Sequence, residues 1–167
     1  FNADNEVKKL YKKSRKCFSK LKKKLPNYIV SFPIKKREIS RAIMGNSINL
    51  KKIVKIVHPE VQKKMNKFIK KNRKKRMIIL DIPLLIENKI NKKSDILVFV
   101  HAKQKEINKR LKKRSNFNPW MVEKLKKLQL PLEIKKKKSD FVIKNNFKNN
   151  YIKKSVKIIK KKILLNA

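Results

Sequence analysis

Glycine is almost missing from these 167 residues: Gly45 is the single one. Phosphate loops of the G-x-x-x-x-G-K or G-x-G-x-x-G kind need several glycines, because the backbone itself must approach the phosphates. Neither loop is therefore contained in this sequence. Cysteine is as scarce, and Cys17 alone excludes a disulfide framework and a cysteine-based zinc site. Two histidines, His58 and His101, leave little material for a histidine-rich metal centre. Long apolar runs are absent too. The longest, Met77–Ile86, is interrupted by Asp81 and is far short of the roughly 20 residues that span a bilayer. No charged segment followed by a small-residue cleavage site opens the chain, so no signal peptide is visible and a cytoplasmic protein is expected. The chain opens at Phe1, inside what reads as a strand end, and is expected to lack its natural start.

Acidic residues are few, and what replaces them is lysine. Eleven Asp and Glu face 51 Lys and Arg, for a formal net charge of +40. Forty per cent of the chain is hydrophobic, which excludes a disordered polycation. Clustered positive charge suggests a nucleic-acid binder, since lysines neutralise phosphate and release counterions. The composition argues otherwise. Lys outnumbers Arg 44 to 7, and Ile (21) and Asn (17) are abundant beside it. All three have A/T-rich codons, so base composition accounts for them together. A dedicated phosphate-reading surface would favour the planar fork of Arg. The basic residues also run along the whole chain. Neither a specific nucleic acid nor a membrane is expected as a partner, and a basic nucleic-acid-binding protein is kept as an alternative.

Hydrophobic spacing divides the chain. Phe1–Asp4 reads as a strand end and Asn5–Lys24 as one helix, with Val7, Leu10, Tyr11, Cys17, Phe18 and Leu21 on one face. The stretch Tyr28–Ile34, bounded by prolines, reads as irregular or briefly extended. Lys36–Met44 is a short helix stopped at Gly45-Asn46. Ser47 opens an amphipathic segment to His58-Pro59, and a second helix follows from Pro59 with Val61, Met65, Phe68 and Ile69 inward. The period then changes. Arg76–Ile86 and Ser94–Val100 read as strands buried on both faces, and Ser139–Ile143 as a third. Glu106–Arg114, Pro119–Leu128 and Tyr151–Leu165 read as helices. Buried strands alternating with helices predict an α/β fold with parallel pairing.

In an open parallel sheet, ligands bind beyond the carboxyl ends of the strands. Asp4, the segment Asp81-Ile-Pro-Leu-Leu-Ile-Glu87 and Asn145-Asn146 fall at those ends. For any single Asp or Asn, a helix cap or turn is the plainer reading. Asp81 is set in an apolar strand, where a carboxylate costs about 2 kcal/mol or more unless paired or near a metal. Arg110 and Arg114, four apart among so few arginines, suit bidentate grip of phosphate and stabilisation of a transferring phosphoryl group. A solvated helix face is the plainer alternative. His58, taken alone, reads as a helix-end or packing histidine rather than a catalytic base, His101 carries no assignment, and Trp120 and the phenylalanines are expected in the core.

Taken in order, Phe1-Asn-Ala-Asp4, Lys36-Arg-Glu-Ile39, Val57-His-Pro-Glu-Val61, Asp81-Ile-Pro-Leu-Leu-Ile-Glu87, Arg110-Leu-Lys-Lys-Arg114, Gln129-Leu-Pro-Leu-Glu133 and Ser139-Asp-Phe-Val-Ile-Lys-Asn145 resemble the dephospho-CoA kinase family over nearly the whole chain. The resemblance implies one P-loop NTPase-like domain over residues 1–167, lacking its first strand and phosphate loop. Its parallel five-stranded sheet would carry helices on both faces. A helical substrate subdomain would run over about 7–76 and a helical lid over about 103–138, with the remainder as nucleotide-binding core.

The resemblance also implies a reaction and a site. ATP, with magnesium, would phosphorylate the ribose 3′-hydroxyl of dephospho-CoA. By position Asp4 matches the general base, with Arg110 and Arg114 matching lid arginines that close on the ATP phosphates. Asn145 matches a residue near the adenine. Arg37, His58, Asp81 and Glu87 fall on the substrate side, and Asp81 would help to hold magnesium through water. Another small-molecule or nucleoside monophosphate kinase is the alternative within enzymes. Two departures stand out: Asn2 replaces the first Asp of a D-A-D motif, and Leu125 sits where a further lid base is often found. Without its phosphate loop the 167-residue chain is expected to be inactive.

Overall fold

Two short polar side chains shape the first helices of the computed structural model, which describes residues 1–115 and 117–165. Asn2 caps α1 (Ala3–Lys13), its side chain accepting from the Asn5 N–H. The helix thus begins earlier than expected, and Asp4 lies in its first turn. Ser14 then divides the single helix expected over Asn5–Lys24. Its N–H still donates to the Leu10 carbonyl, while its hydroxyl caps α2 (Arg15–Lys24) by accepting from Cys17 N–H. Serine offers the backbone this alternative to a helical bond, which a hydrophobic-spacing argument does not see.

The chain forms two units, Phe1–Pro83 and Leu84–Ala167. The first is helical. After an irregular segment at residues 25–35 come α3 (Lys36–Gly45) and α4 (Ser47–Lys71). Leu10, Cys17, Leu21, Leu25, Ile29, Ile34, Ala42, Ile53 and Val57 make its core. Pro59 does not break α4, contrary to the two segments expected there. An internal proline costs a helix about 3 kcal/mol. Burial of Ile53, Val57 and Met65 on both sides of it offsets that cost. Gly45 allows close approach: a Cβ there would meet the Tyr28 hydroxyl unless that ring moved.

The strand expected over Arg76–Ile86 reduces to a short extended piece. The Phe1 amino group donates to Ile79 O (2.8 Å), Asp81 N–H to Phe1 O (2.8 Å) and Ala3 N–H to Asp81 O (2.9 Å). Asn2 and Asp81 form a parallel bridge. Ile79 is 70% exposed, so burial on both faces is not found. One three-residue neighbour is too short to hold a ladder.

The second unit contains β1 (Val98–His101), α5 (Gln104–Lys112), α6 (Pro119–Lys126), α7 (Leu132–Lys137), β2 (Phe141–Lys144) and α8 (Asn149–Leu165). The strands β1 and β2 are parallel, with Val98 opposite Phe141 and Val100 opposite Ile143. The fold is α/β with parallel pairing, as the patterning predicts. Two strands form its sheet among the described residues, not five. Val98, Val100 and Val142 are exposed, so these strands also alternate rather than being buried throughout. Helix α8 packs on β2. Asp140 ties the strand starts together, its carboxylate accepting from Leu97 N–H at 2.7 Å while its own N–H donates to Leu97 O. Trp120 is not core. It stands about half exposed on the short α6, with the Lys124 ammonium 4.2 Å above its ring. No helix among the described residues is long and apolar enough to cross a membrane.

Candidate active site

In the first unit the polar groups gather where Phe1–Ala3 meets Ile79–Asp81. Asn2 Nδ2 donates to Asp81 Oδ2 at 2.6 Å, so one side chain both caps α1 and holds Asp81. Asp81 is exposed rather than set in an apolar strand, and this amide is the pairing that its carboxylate obtains. Asp4, two residues beyond Asn2, is exposed in the first helical turn. Asp81 is thus hydrogen-bonded to the residue that caps α1, and Asp4 lies in the first turn of that helix. Arg37 is exposed on α3 and His58 on α4. Partial desolvation holds the His58 imidazole below the usual histidine pKa, which favours its neutral form. A surface depression of about 190 Å³, lined by residues that include Lys24, Tyr28, Asn49 and Lys52, contains none of these side chains.

In the second unit Arg110 and Asn145 are joined through Phe147. The Asn145 N–H donates to His101 O (2.7 Å), fastening the end of β2 to that of β1. Its side-chain oxygen accepts from the Phe147 N–H (2.8 Å), and the Arg110 guanidinium lies 3.9 Å from the Phe147 ring centroid. Arg114 does not share the Arg110 helix. Helix α5 ends at Lys112, and Arg114 sits in the turn beyond, its N–H donating to Leu111 O. Beyond that turn Asn118 starts a new helix instead, its side chain capping α6 by accepting from Met121 N–H at 2.9 Å.

Glu87 is the most engaged of the candidates. It accepts from Lys135 Nζ at 2.8 Å and from Leu130 N–H at 3.0 Å, in a pair that is nearly buried. Burial pushes its pKa up. The Lys135 hydrogen bond, its own and Leu130's N–H groups, and the Lys135 charge together outweigh this and hold it below the ordinary glutamate value. Lys135 also donates to Gln129 Oε1 at 3.0 Å, so the Gln129–Lys135 stretch is fastened at both ends.

Sequence reasoning missed three residues. Lys135 was hidden among 44 lysines, although its place two residues after Glu133 in the distal motif was a usable signal. Phe147 carried no signal beyond following Asn145-Asn146. Glu38 is a buried carboxylate that accepts from Val30 N–H, Ser31 N–H and hydroxyl, and Lys35 N–H. It thereby organises the irregular loop before α3. Burial raises its pKa, and these four donors bring the net value below the ordinary one.

No group of three or more His, Cys, Asp or Glu side chains suited to a metal occurs among the described residues. A lone carboxylate such as Asp81 still suits magnesium, which keeps several waters and takes one or two carboxylates plus substrate phosphates.

Comparison with known proteins supplies the family. The model of the dephospho-CoA kinase family matches residues 1–150. The dephospho-CoA kinase of Wolbachia pipientis wMel is 32% identical over 169 aligned residues, covering all of this chain and 86% of that protein. That of Bartonella quintana (strain Toulouse) is 31% identical, covering 86% of this chain and 74% of that protein. That of Rickettsia bellii (strain RML369-C) is 33% identical over 143 residues. With the ordered motifs and parallel α/β pairing, these matches show that the chain belongs to the dephospho-CoA kinase family.

Proposed function

We propose that this sequence serves the ATP-dependent phosphorylation of dephospho-CoA at its ribose 3′-hydroxyl. The observation that carries the reading is the exposed Asp4 carboxylate in the first turn of α1, the helix that Asn2 caps while it holds Asp81, in a chain of this family. Asp4 takes the proton of the sugar hydroxyl as its oxygen attacks the γ-phosphorus. The bond from that phosphorus to the β–γ bridging oxygen breaks, and ADP leaves. Such a reaction needs positioning and charge neutralisation more than covalent chemistry by the protein. Arg110 and Arg114 supply positive charge at the phosphates, with Asn145 toward the adenine. Arg37 and His58 face the acceptor side. Glu87, taken up by Lys135, shapes the segment after Asp81-Ile-Pro. Residues 7–76 serve as the acceptor-binding subdomain and 103–138 as the lid. Asp81 would hold magnesium through its water, and the ion would neutralise phosphate charge.

Residues 1–167 contain no glycine-rich loop, and the reading must be tested with that in view. The 167-residue polypeptide is expected to release no ADP when given ATP and dephospho-CoA. The same polypeptide preceded by a strand and a G-x-x-x-x-G-K-S loop is expected to release ADP only when dephospho-CoA is present. In it, Asp4→Asn should lower kcat by at least about 100-fold, the scale of a lost general base. Transfer to a nucleoside monophosphate, with none to dephospho-CoA, would overturn the reading.

A further inference from the structure

Phe147 adopts φ of 61°, in the left-handed region. For a bulky side chain this conformation is unfavourable and persists only where its surroundings impose it. Here they are visible. The Asn145 side chain accepts from Phe147 N–H, the Asn146 side chain accepts from Lys148 N–H at 3.0 Å, and Asn145 N–H is anchored on β1. Two consecutive asparagine turns thus bend the backbone just past β2. The ring they present is partly buried and meets the otherwise exposed Arg110 guanidinium at 3.9 Å.

The contact has a chemical consequence. A guanidinium stacks through its face, whereas its five N–H donors lie in its plane and point outward at its edge. At 3.9 Å from the Phe147 ring centre the guanidinium is close enough to stack in this way, which leaves that edge free. The arginine is held still, yet it keeps the fork that grips phosphate bidentately. An unrestrained arginine would lose rotamer freedom on binding, and part of that loss is already met in the folded chain.

We propose that Phe147 is a positioning residue that pre-orients Arg110 for the phosphates of a nucleoside triphosphate at the carboxyl end of β2. The proposal rests on the nucleotide-binding part of the reading above and extends it to a residue outside the recognised motifs.

The test is an ATP titration of the full chain followed at the labelled Arg110 Nε–H resonance, a method that reads binding even at millimolar strength. In the free protein, Phe147→Leu should abolish the ring-current shift of Arg110, and Phe147→Tyr should keep it. Phe147→Leu should weaken ATP binding about two- to fivefold, the range of an exposed cation–π contact. Phe147→Tyr should bind within twofold of the parent. In an Arg110→Ala background, followed at the Asn145 side-chain amide, Phe147→Leu should cost nothing further. An equal loss with and without Arg110 would mean that Phe147 only supports the loop, and would overturn the proposal. So would unchanged ATP binding by Phe147→Leu, or no ATP binding by the parent chain. Failure of the loop-bearing protein to phosphorylate dephospho-CoA, with the Arg110–Phe147 coupling intact, would instead overturn the functional reading alone.

Discussion

Asn2 and Asp81 lie 79 positions apart in sequence and meet at 2.6 Å, amide nitrogen to carboxylate oxygen. The Asn2 side-chain oxygen meanwhile receives Asn5 N–H and starts α1. One residue therefore sets both the helix bearing Asp4 and the carboxylate beside it. The departure from a D-A-D motif thus has a structural effect. Asparagine supplies a donor where aspartate would place a second negative charge against Asp81.

This dual role predicts a graded response to substitution. Asn2→Ala removes both contacts and should destabilise the protein by about 1–2 kcal/mol, the range of a lost N-cap plus an exposed hydrogen bond. Asn2→Ser keeps a capping oxygen and should lose about half as much. Urea unfolding measures both. Equal stability of the three proteins would show that the Asn2 contacts contribute nothing.

Glu38 should be far less tolerant. Its carboxylate serves four donors at the loop before α3, and it is only 5% exposed. Glu38→Ala would leave several donors without partners, at about 1–3 kcal/mol for each that water cannot reach. A loss of at least about 3 kcal/mol is expected in chemical denaturation. Glu38→Gln, which presents an NH₂ to donors, should fall between. A loss under about 1 kcal/mol for Glu38→Ala would mean that water replaces the carboxylate freely.

Acid should unfold the protein through its glutamates. Glu6, tied to Lys9 and Lys64, together with Glu38 and Glu87, has a pKa below the ordinary value of about 4.3. Groups depressed on folding contribute stability that is fully present above the unfolded-state pKa and is lost as pH falls through the folded one. His58, whose neutral form is favoured, acts in the same direction from about pH 6.5 downward. Melting temperature should therefore decline gently below pH 6.5 and steeply below about 4.3. Glu87→Gln should flatten the steep part. A melting temperature constant from pH 7 to 3.5 would contradict these assignments.

Net charge should govern rates and non-specific binding. At +40, weak RNA and DNA binding is expected at 50 mM salt. It should fall by about 100-fold or more at 200 mM, without sequence preference. In the loop-bearing enzyme, KM for dephospho-CoA should rise over the same range as steering of the anionic substrate is screened. Nucleic-acid binding that survives 200 mM with sequence preference would restore the binding-protein alternative.

Much of the fold was legible because periodicity is local. The stripes of Leu10, Cys17, Leu21, Ile53 and Val57 are core in the structure, and β1 and β2 each end one residue past the expected strand end, β1 starting four residues late and β2 two. The errors share a cause. Ser14, Pro59 and the stretch around Asp81 were decided by capping, by burial on both sides of a proline, and by which partner strand was at hand. Burial offset a local penalty at Pro59, whereas a small side chain overrode the apolar pattern at Ser14.

The sequence by itself determined which chemical groups exist: a carboxylate at Asp4, another at Asp81, an arginine at position 110, an amide at Asn145, and no phosphate loop within these residues. Only the tertiary structure decided which remain available. Asp81 is tied to Asn2 and Glu87 to Lys135, while Asp4 stands exposed and the Arg110 guanidinium lies 3.9 Å from the centre of the Phe147 ring. Availability depends on hydrogen-bond and ring partners tens of residues away along the chain, which folding alone brings to distances of 2.6 to 3.9 Å.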